Sequence, residues 1–363
     1  PGEVRTWSLS RVGPPGLGSF EVSGGPLDRL VVAGDESVAY ATVFTHAGVR
    51  SAVHRIDLGS GEDSEVVGEV PYYFSTRPMV SPDLSHMTTL DEDFITSVVD
   101  LASGESIPLA RCDSIRAFDE TGQLVAVDAH LVCLERGEEF GAGHSRLVDL
   151  RTQETLVDLG EEFVLYAAAF GPSAGGRPPE LAAVEERSGE VTVYDLATGE
   201  ARGTYAPDAD WPVSMAVSPD GERLVLLMLS GRLVALDVAR LADGDGGSDP
   251  TVFDITAHNA GSKGVTMSAS GLIATGSSLD GIRVWSANGE LVASVPTSQA
   301  DAPTFAFAAG TDTLYYEDGG GVVRRFPIEA NELSELARKL LTRGLTQQEC
   351  DRFFAGEDCP SFD

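Results

Sequence analysis

The run Gly171-Pro172-Ser173-Ala174-Gly175 matches G-x-S-x-G. Ser173 would be an acyl-transfer nucleophile if the run formed the sharp strand-to-helix elbow that such a serine needs. Its neighbours point elsewhere: apolar β-type segments flank it and Arg177-Pro178-Pro179 follows, so the run reads as a hairpin loop and Ser173 as non-catalytic. The stretch Asp243-Gly244-Asp245-Gly246-Gly247-Ser248-Asp249 spaces carboxylates at alternate positions, as wrapping a hard cation requires. It lacks the glycine register and terminal Glu of a calcium loop, and a solvated insertion is the expectation. Cysteines stand at 112, 133, 350 and 359, with no C-x-x-C and no histidine beside either pair, which does not suit zinc. Cys350 and Cys359 either close a local disulfide or remain thiols, and the sequence leaves both open. Cys112 and Cys133 read as buried structural thiols. The six histidines, at 46, 54, 86, 130, 144 and 258, are scattered. No catalytic activity, metal or cofactor is therefore expected.

The elements that would position these residues follow from composition and periodicity. The chain has 363 residues with 57 acidic and 25 basic side chains, a formal charge of −32. Such a balance does not suit nucleic-acid phosphates, which take a basic stripe, nor an anionic membrane surface. The longest apolar blocks, such as Leu224 to Leu229, fall well short of a membrane span, so no membrane insertion is expected. Hydrophobic residues make up 42%, with 40 Gly and 19 Pro. That is too apolar for acidic disorder and too rich in turn residues for a helical bundle, and it points to an all-β fold.

A short β-branched strand ending in an apolar–Asp or aromatic step recurs along the chain. Its copies end at Asp57, Asp100, Asp149, Asp195, Asp237, Ser286 and Pro327, at spacings of 43, 49, 46, 42, 49 and 41 residues. This is the period of a four-stranded propeller blade. Upstream in each unit an apolar strand enters a tight polar turn, most clearly at Ser218-Pro219-Asp220-Gly221, where Pro sets φ and Asp and Gly supply the side-chain bond and the positive φ. The expected fold is a seven-bladed β-propeller of four-stranded antiparallel blades over residues 1–330, with a helical tail over 331–363 packed on it. The last unit lacks its own outer strand, and the alternating segment near residues 3–10 is expected to supply it. In the tail, Asn331 is a good N-cap, Thr346-Gln347-Gln348-Glu349 a capping box.

At these residues the chain resembles the WD40-repeat family over about residues 20–330. The best copy is the sixth unit, with His258, Ser277, Asp280-Gly281 and Trp285. The resemblance implies that His258, Ser277, Asp280 and Trp285 form a hydrogen-bonded structural tetrad, although the Asp-to-Trp spacing is one residue shorter than usual and Ser286 follows Trp285. Residues 341–360 look like the C-terminus of large actinobacterial signalling and transcription-regulating proteins, in which a propeller follows an effector module. This resemblance implies the C-terminal part of such a regulator.

Propellers bind on loops at the funnel rim. Rim candidates are Tyr73, Asp91, Asp93, Glu162, Asp210 and Trp211, aromatics beside carboxylates that would suit a protein or peptide partner, basic by charge complementarity. Tyr72, Phe163 and Trp211 would equally serve to pack between neighbouring blades. Three functional classes stay open: a non-catalytic interaction or sensor scaffold, a free-standing extracytoplasmic binding protein, and a propeller-fold hydrolase or lyase. The first is the leading expectation, in the cytoplasm and with an effector domain of the same chain as a further partner. Pro1 with no charged-then-apolar leader reads as an excised domain or a processed product.

Overall fold

The computed structural model describes residues 19–45, 50–71, 78–93, 95–111, 113–128, 144–160, 163–172, 180–208, 210–242, 249–295, 297 and 303–328. The side chains of 67–71 are not among those described. The strands form seven antiparallel sheets, and their chain order makes a seven-bladed β-propeller. Blades 1 to 6 span 27–71, 79–111, 114–158, 165–205, 212–256 and 262–295, and blade 7 comprises 305–327 with 19–21. Six blades have four strands. Blade 2 has three, His86–Leu90, Ile95–Asp100 and Ser106–Arg111. Its inner position shrinks to the bridge between Val80 and Met87, where Met79 N–H donates to Thr88 Oγ1 at 2.8 Å.

The repeated aspartate ends the third strand of its blade, and a side-chain bond explains the repetition. Asp57 Oδ1 accepts from the N–H of Gly59 and Ser60 at 3.0 and 2.8 Å. Asp100 does the same for Ala102 and Ser103 at 2.9 and 2.7 Å, and Asp195 for Ala197 at 2.8 Å. Each carboxylate closes the turn into the outer strand, as Asx side chains do. The donated N–H groups of Ser60 and Ser103 hold Asp57 and Asp100 below the usual carboxylate range. The Ser-Pro-Asp turns close likewise: Ser218 Oγ donates to Asp220 Oδ1 at 2.5 Å and accepts from Arg223 N–H at 2.9 Å, and Ser81 with Asp83 and His86 repeats the arrangement.

Blades stack face to face, so a middle strand is buried on both sides and reads as an unbroken apolar run. In Arg223–Met228, Leu224, Leu226 and Met228 pack on Ala182 and Val184 of blade 4, while Val225 and Leu227 pack on Val265 and Ile273 of blade 6. That is the two-residue alternation of a strand. Every interface between neighbouring blades has such a cluster, from Val53 with Val80 between blades 1 and 2 to Val323 and Tyr315 with Val43 between blades 7 and 1. The ring is closed by packing as well as by pairing.

Closure comes from the N-terminal side. Ser19–Glu21 takes the outer position of blade 7, with Ser19, Phe20 and Glu21 opposite Arg324, Val323 and Val322. Residues 3–10, the segment expected there, lie outside the described residues. Glu317, buried in blade 7, accepts the N–H of Leu27 in blade 1 at 3.1 Å and of Gly321 at 3.1 Å. Glu36 of blade 1 crosses back to Thr313, Tyr315 and Arg325 of blade 7. A single short helix, Val238–Ala242, is seen among the described residues; it leads from the third strand of blade 5 and lies against the backbone of Gly203 in blade 4. The four cysteines, Ser173, residues 243–248 and the tail 331–363 all lie outside the described residues.

Candidate functional site

Strand direction alternates within each blade, so crossovers between blades and turns between second and third strands emerge on one common face of the ring. Four of the six rim candidates are described, and all four are on that face. Asp91 and Asp93 sit in the turn between Leu90 and Ile95 of blade 2, both exposed, with Asp91 Oδ1 accepting Ile95 N–H at 2.9 Å. Asp210 and Trp211 lie on the crossover from blade 4 to blade 5. Asp210 ties that crossover to the next turn, accepting from Trp211 N–H at 2.9 Å, Ser230 N–H at 3.2 Å and Ser230 Oγ at 2.5 Å. Trp211 is half-buried, edge-on to Tyr166 at 6.4 Å and 89°, with Gly189 of blade 4 against its ring. It packs between blades, with part of the residue left accessible. Tyr73 and Glu162 lie outside the described residues.

On blade 6 the structure brings together three residues, of which the sequence singled out two. Thr275 Oγ1 stands between His258 Nε2 at 2.8 Å and Trp285 Nε1 at 2.9 Å. Ser277 is not in this chain; its Oγ donates to Ala260 O at 2.6 Å and accepts Leu279 N–H at 3.1 Å. Thr275 and Ser277 share a strand face, and motif spacing alone does not choose between them. Asp280 lies 3.6 Å from His258 Nδ1 and accepts Asn259 N–H at 2.9 Å, which helps hold its carboxyl below the usual range. His258 is fully buried. Burial, then the nearby Arg283 charge, pull it down to about 4. The group is a neutral structural pin at neutral pH.

Two features escaped sequence reading. Leu229 and Leu279 are 58% and 70% exposed, at the tips of the second-to-third-strand turns of adjacent blades 5 and 6. The other exposed large apolar side chains among the described residues, Val66, Leu156, Val252 and Leu291, are on outer strands around the circumference. Isolated hydrophobic letters in turns carry no periodic signal.

The second feature is a cavity of about 600 Å³ on the ring axis, to whose wall all seven blades contribute. Among the described residues, its charged lining residues are Asp28, Arg29, Arg116 and Lys263. The blade 3 wall is backed by a buried charge cluster: Arg146 grips Asp113 with two bonds of 3.1 and 2.6 Å, and Arg116 meets Asp128 at 3.4 Å. Burial pushes Asp113 and Glu186 above the usual carboxylate range. Among the described residues no group of three or more His, Cys, Asp and Glu is arranged to hold a metal. No family model and no curated protein matches the chain.

Proposed function

We propose that the protein is a non-catalytic interaction scaffold whose crossover face docks a basic protein segment bearing apolar side chains. The observation that carries this is the placement of Leu229 and Leu279 on neighbouring turns of the face that also presents Asp91, Glu92 and Asp93 to solvent. Exposed leucines supply burial on docking. Carboxylates on that face, those of Asp91 to Asp93 on blade 2 across the ring from the leucines, steer a cationic partner in a chain of net charge −32. The resemblance of residues 341–360 to the ends of large bacterial regulators supports a sensor or docking role inside a cytoplasmic signalling or transcription-regulating protein.

Selection of peptides from a random display library on the whole chain tests this. Selected peptides are expected to combine Lys or Arg with Leu, Ile or Phe. Their affinity is expected to fall about tenfold, roughly 1.4 kcal/mol, in the double variant Leu229→Asp, Leu279→Asp, and to fall between low and high salt. Peptides without a basic excess, or equal binding to the double variant, would sink the reading.

A further inference from the structure

We infer that the chain's own segment 336–345 docks, within one molecule, on an apolar seam between blades 5 and 6 on the face of the ring opposite the crossovers. The inference stands apart from docking on the crossover face and does not rest on it.

A close approach builds the seam. Gly289 lies in the turn from the third to the outer strand of blade 6, and a Cβ there would meet the Phe253 ring of blade 5 at 3.1 Å. Phe253 packs on the cluster that holds Trp285. Leu291 is opposite Trp285 in the strand pairing, and opposed residues share a sheet face. Leu291 therefore borders the Phe253 side of the seam from blade 6, yet it stays 55% exposed. Val252, 39% exposed, is the extra residue of a bulge beside Phe253, where pairing slips between Ala235 and Leu236. Val66 and Leu156 stand singly on blades 1 and 3, whereas here two exposed apolar side chains flank one aromatic ring. Such a patch with a polar rim marks an interaction surface.

The rim of the seam is acidic. Asp220, Glu222, Asp249 and Glu290 are exposed in turns of blades 5 and 6 on this face. Among the described residues, the bases beside them are Arg223, which donates to Ala287 O, and Arg240, which lies 3.6 Å from Asp237. A cationic segment with apolar side chains complements such a surface. A second copy of the ring does not, since it would bring another net charge of −32 against these carboxylates.

The sequence holds one segment of that chemistry. Residues 336–345 carry Arg338, Lys339 and Arg343 among Leu336, Leu340, Leu341 and Leu345, with no acid, and no ten residues elsewhere in the chain hold three bases. The segment also follows closely on the ring. The last described residue, Ile328, is on the same face of blade 7 and packs on the cluster that blades 6 and 7 share. The chain from Ile328 to Leu336 spans about 17 Å if helical from Asn331 and up to about 29 Å if extended. Packed sheets stand about 10 Å apart, so the tether is long enough to cross blade 6 and bring the basic segment to the seam with blade 5.

Trypsin digestion of the whole chain, followed by mass spectrometry, tests the inference, because cutting after Arg338, Lys339 and Arg343 then requires the segment to leave the seam. Val252 and Leu291 are exposed, so the double variant Val252→Ser, Leu291→Ser is expected to keep the wild-type melting curve and to speed those cuts at least about tenfold. Leu340→Ser, a change in the segment itself, should speed the cuts at its basic residues comparably. High salt should also speed them in the wild type, and their rate should not depend on protein concentration. Wild-type cutting rates in either variant, or protection that grows with concentration, overturn the inference. So does release of the segment by the crossover-face variant Leu229→Asp, Leu279→Asp. Peptide docking on the crossover face should survive in the seam variant, so failure here is distinguishable from failure of that reading.

Discussion

Glu317→Ala is expected to destabilise the protein by about 2–6 kcal/mol, because it leaves two buried backbone donors unmatched at about 1–3 kcal/mol each. The carboxylate is 1% exposed and lies where the first and last blades meet. It accepts Leu27 N–H from blade 1 and Gly321 N–H from its own blade, each at 3.1 Å. Gly321 O in turn accepts Val22 N–H at 2.9 Å, just beyond the closing strand. Gly321 itself has φ +83°, and a Cβ there would meet Val22 O at 2.6 Å, so the backbone has little room to rearrange around an alanine. Glu317→Gln keeps one oxygen acceptor and should lose clearly less. Urea unfolding of the three proteins decides this, and an unchanged midpoint in Glu317→Ala would remove the carboxylate from the account of closure.

The second expectation concerns acid. His258 titrates at about 4 in the folded protein, because burial and Arg283 oppose its charge. In the unfolded chain it titrates near ~6.5. Between these values the unfolded state binds a proton that the folded state does not, so stability falls as pH drops from ~6.5 towards ~4. The shift corresponds to about 3 kcal/mol over the full window. His258→Gln removes the titration, and the free energy of unfolding between pH 7 and 4.5 should slope less steeply than in the wild type. Equal slopes would show that the imidazole is not kept neutral by its surroundings. Thr275→Val is the companion variant. It removes the hydroxyl that joins His258 Nε2 and Trp285 Nε1, with a loss of roughly 1–3 kcal/mol at neutral pH.

The architecture was legible because the propeller writes the same local chemistry seven times. Asp57, Asp100, Asp149, Asp195 and Asp237 recur since each ends a third strand; where no Asp is available, Ser286 Oγ takes over by accepting Asn288 N–H at 3.3 Å. The doubly buried middle strands, such as Leu224 to Met228, were equally visible as apolar runs. What did not show was set by register or by tertiary contact. Ser19–Glu21 is too short to display alternation. Blade 2 keeps one bridge where an inner strand was expected. Ser277 and Thr275 differ by one strand period, and only the distances to His258 and Trp285 separate them. The axial cavity was invisible for a related reason: its wall is assembled from the inner edges of seven blades, and nothing within a single repeat announces it.

The clasp at Ser19–Glu21 also sets a schedule for biosynthesis. Its partner residues, Val322 to Arg324, lie about 300 residues later in the chain, and at roughly 5–20 residues per second translation needs about 15–60 s to reach them. Throughout that interval Leu27–Val32 lacks its blade 7 neighbour, and Val32 O, which finally accepts Ala309 N–H at 3.1 Å, has no strand to meet. Nascent chains on one message would then expose open blade edges side by side. Mutual repulsion among growing chains, each gathering negative charge as it lengthens, keeps those edges apart until each ring can shut on itself.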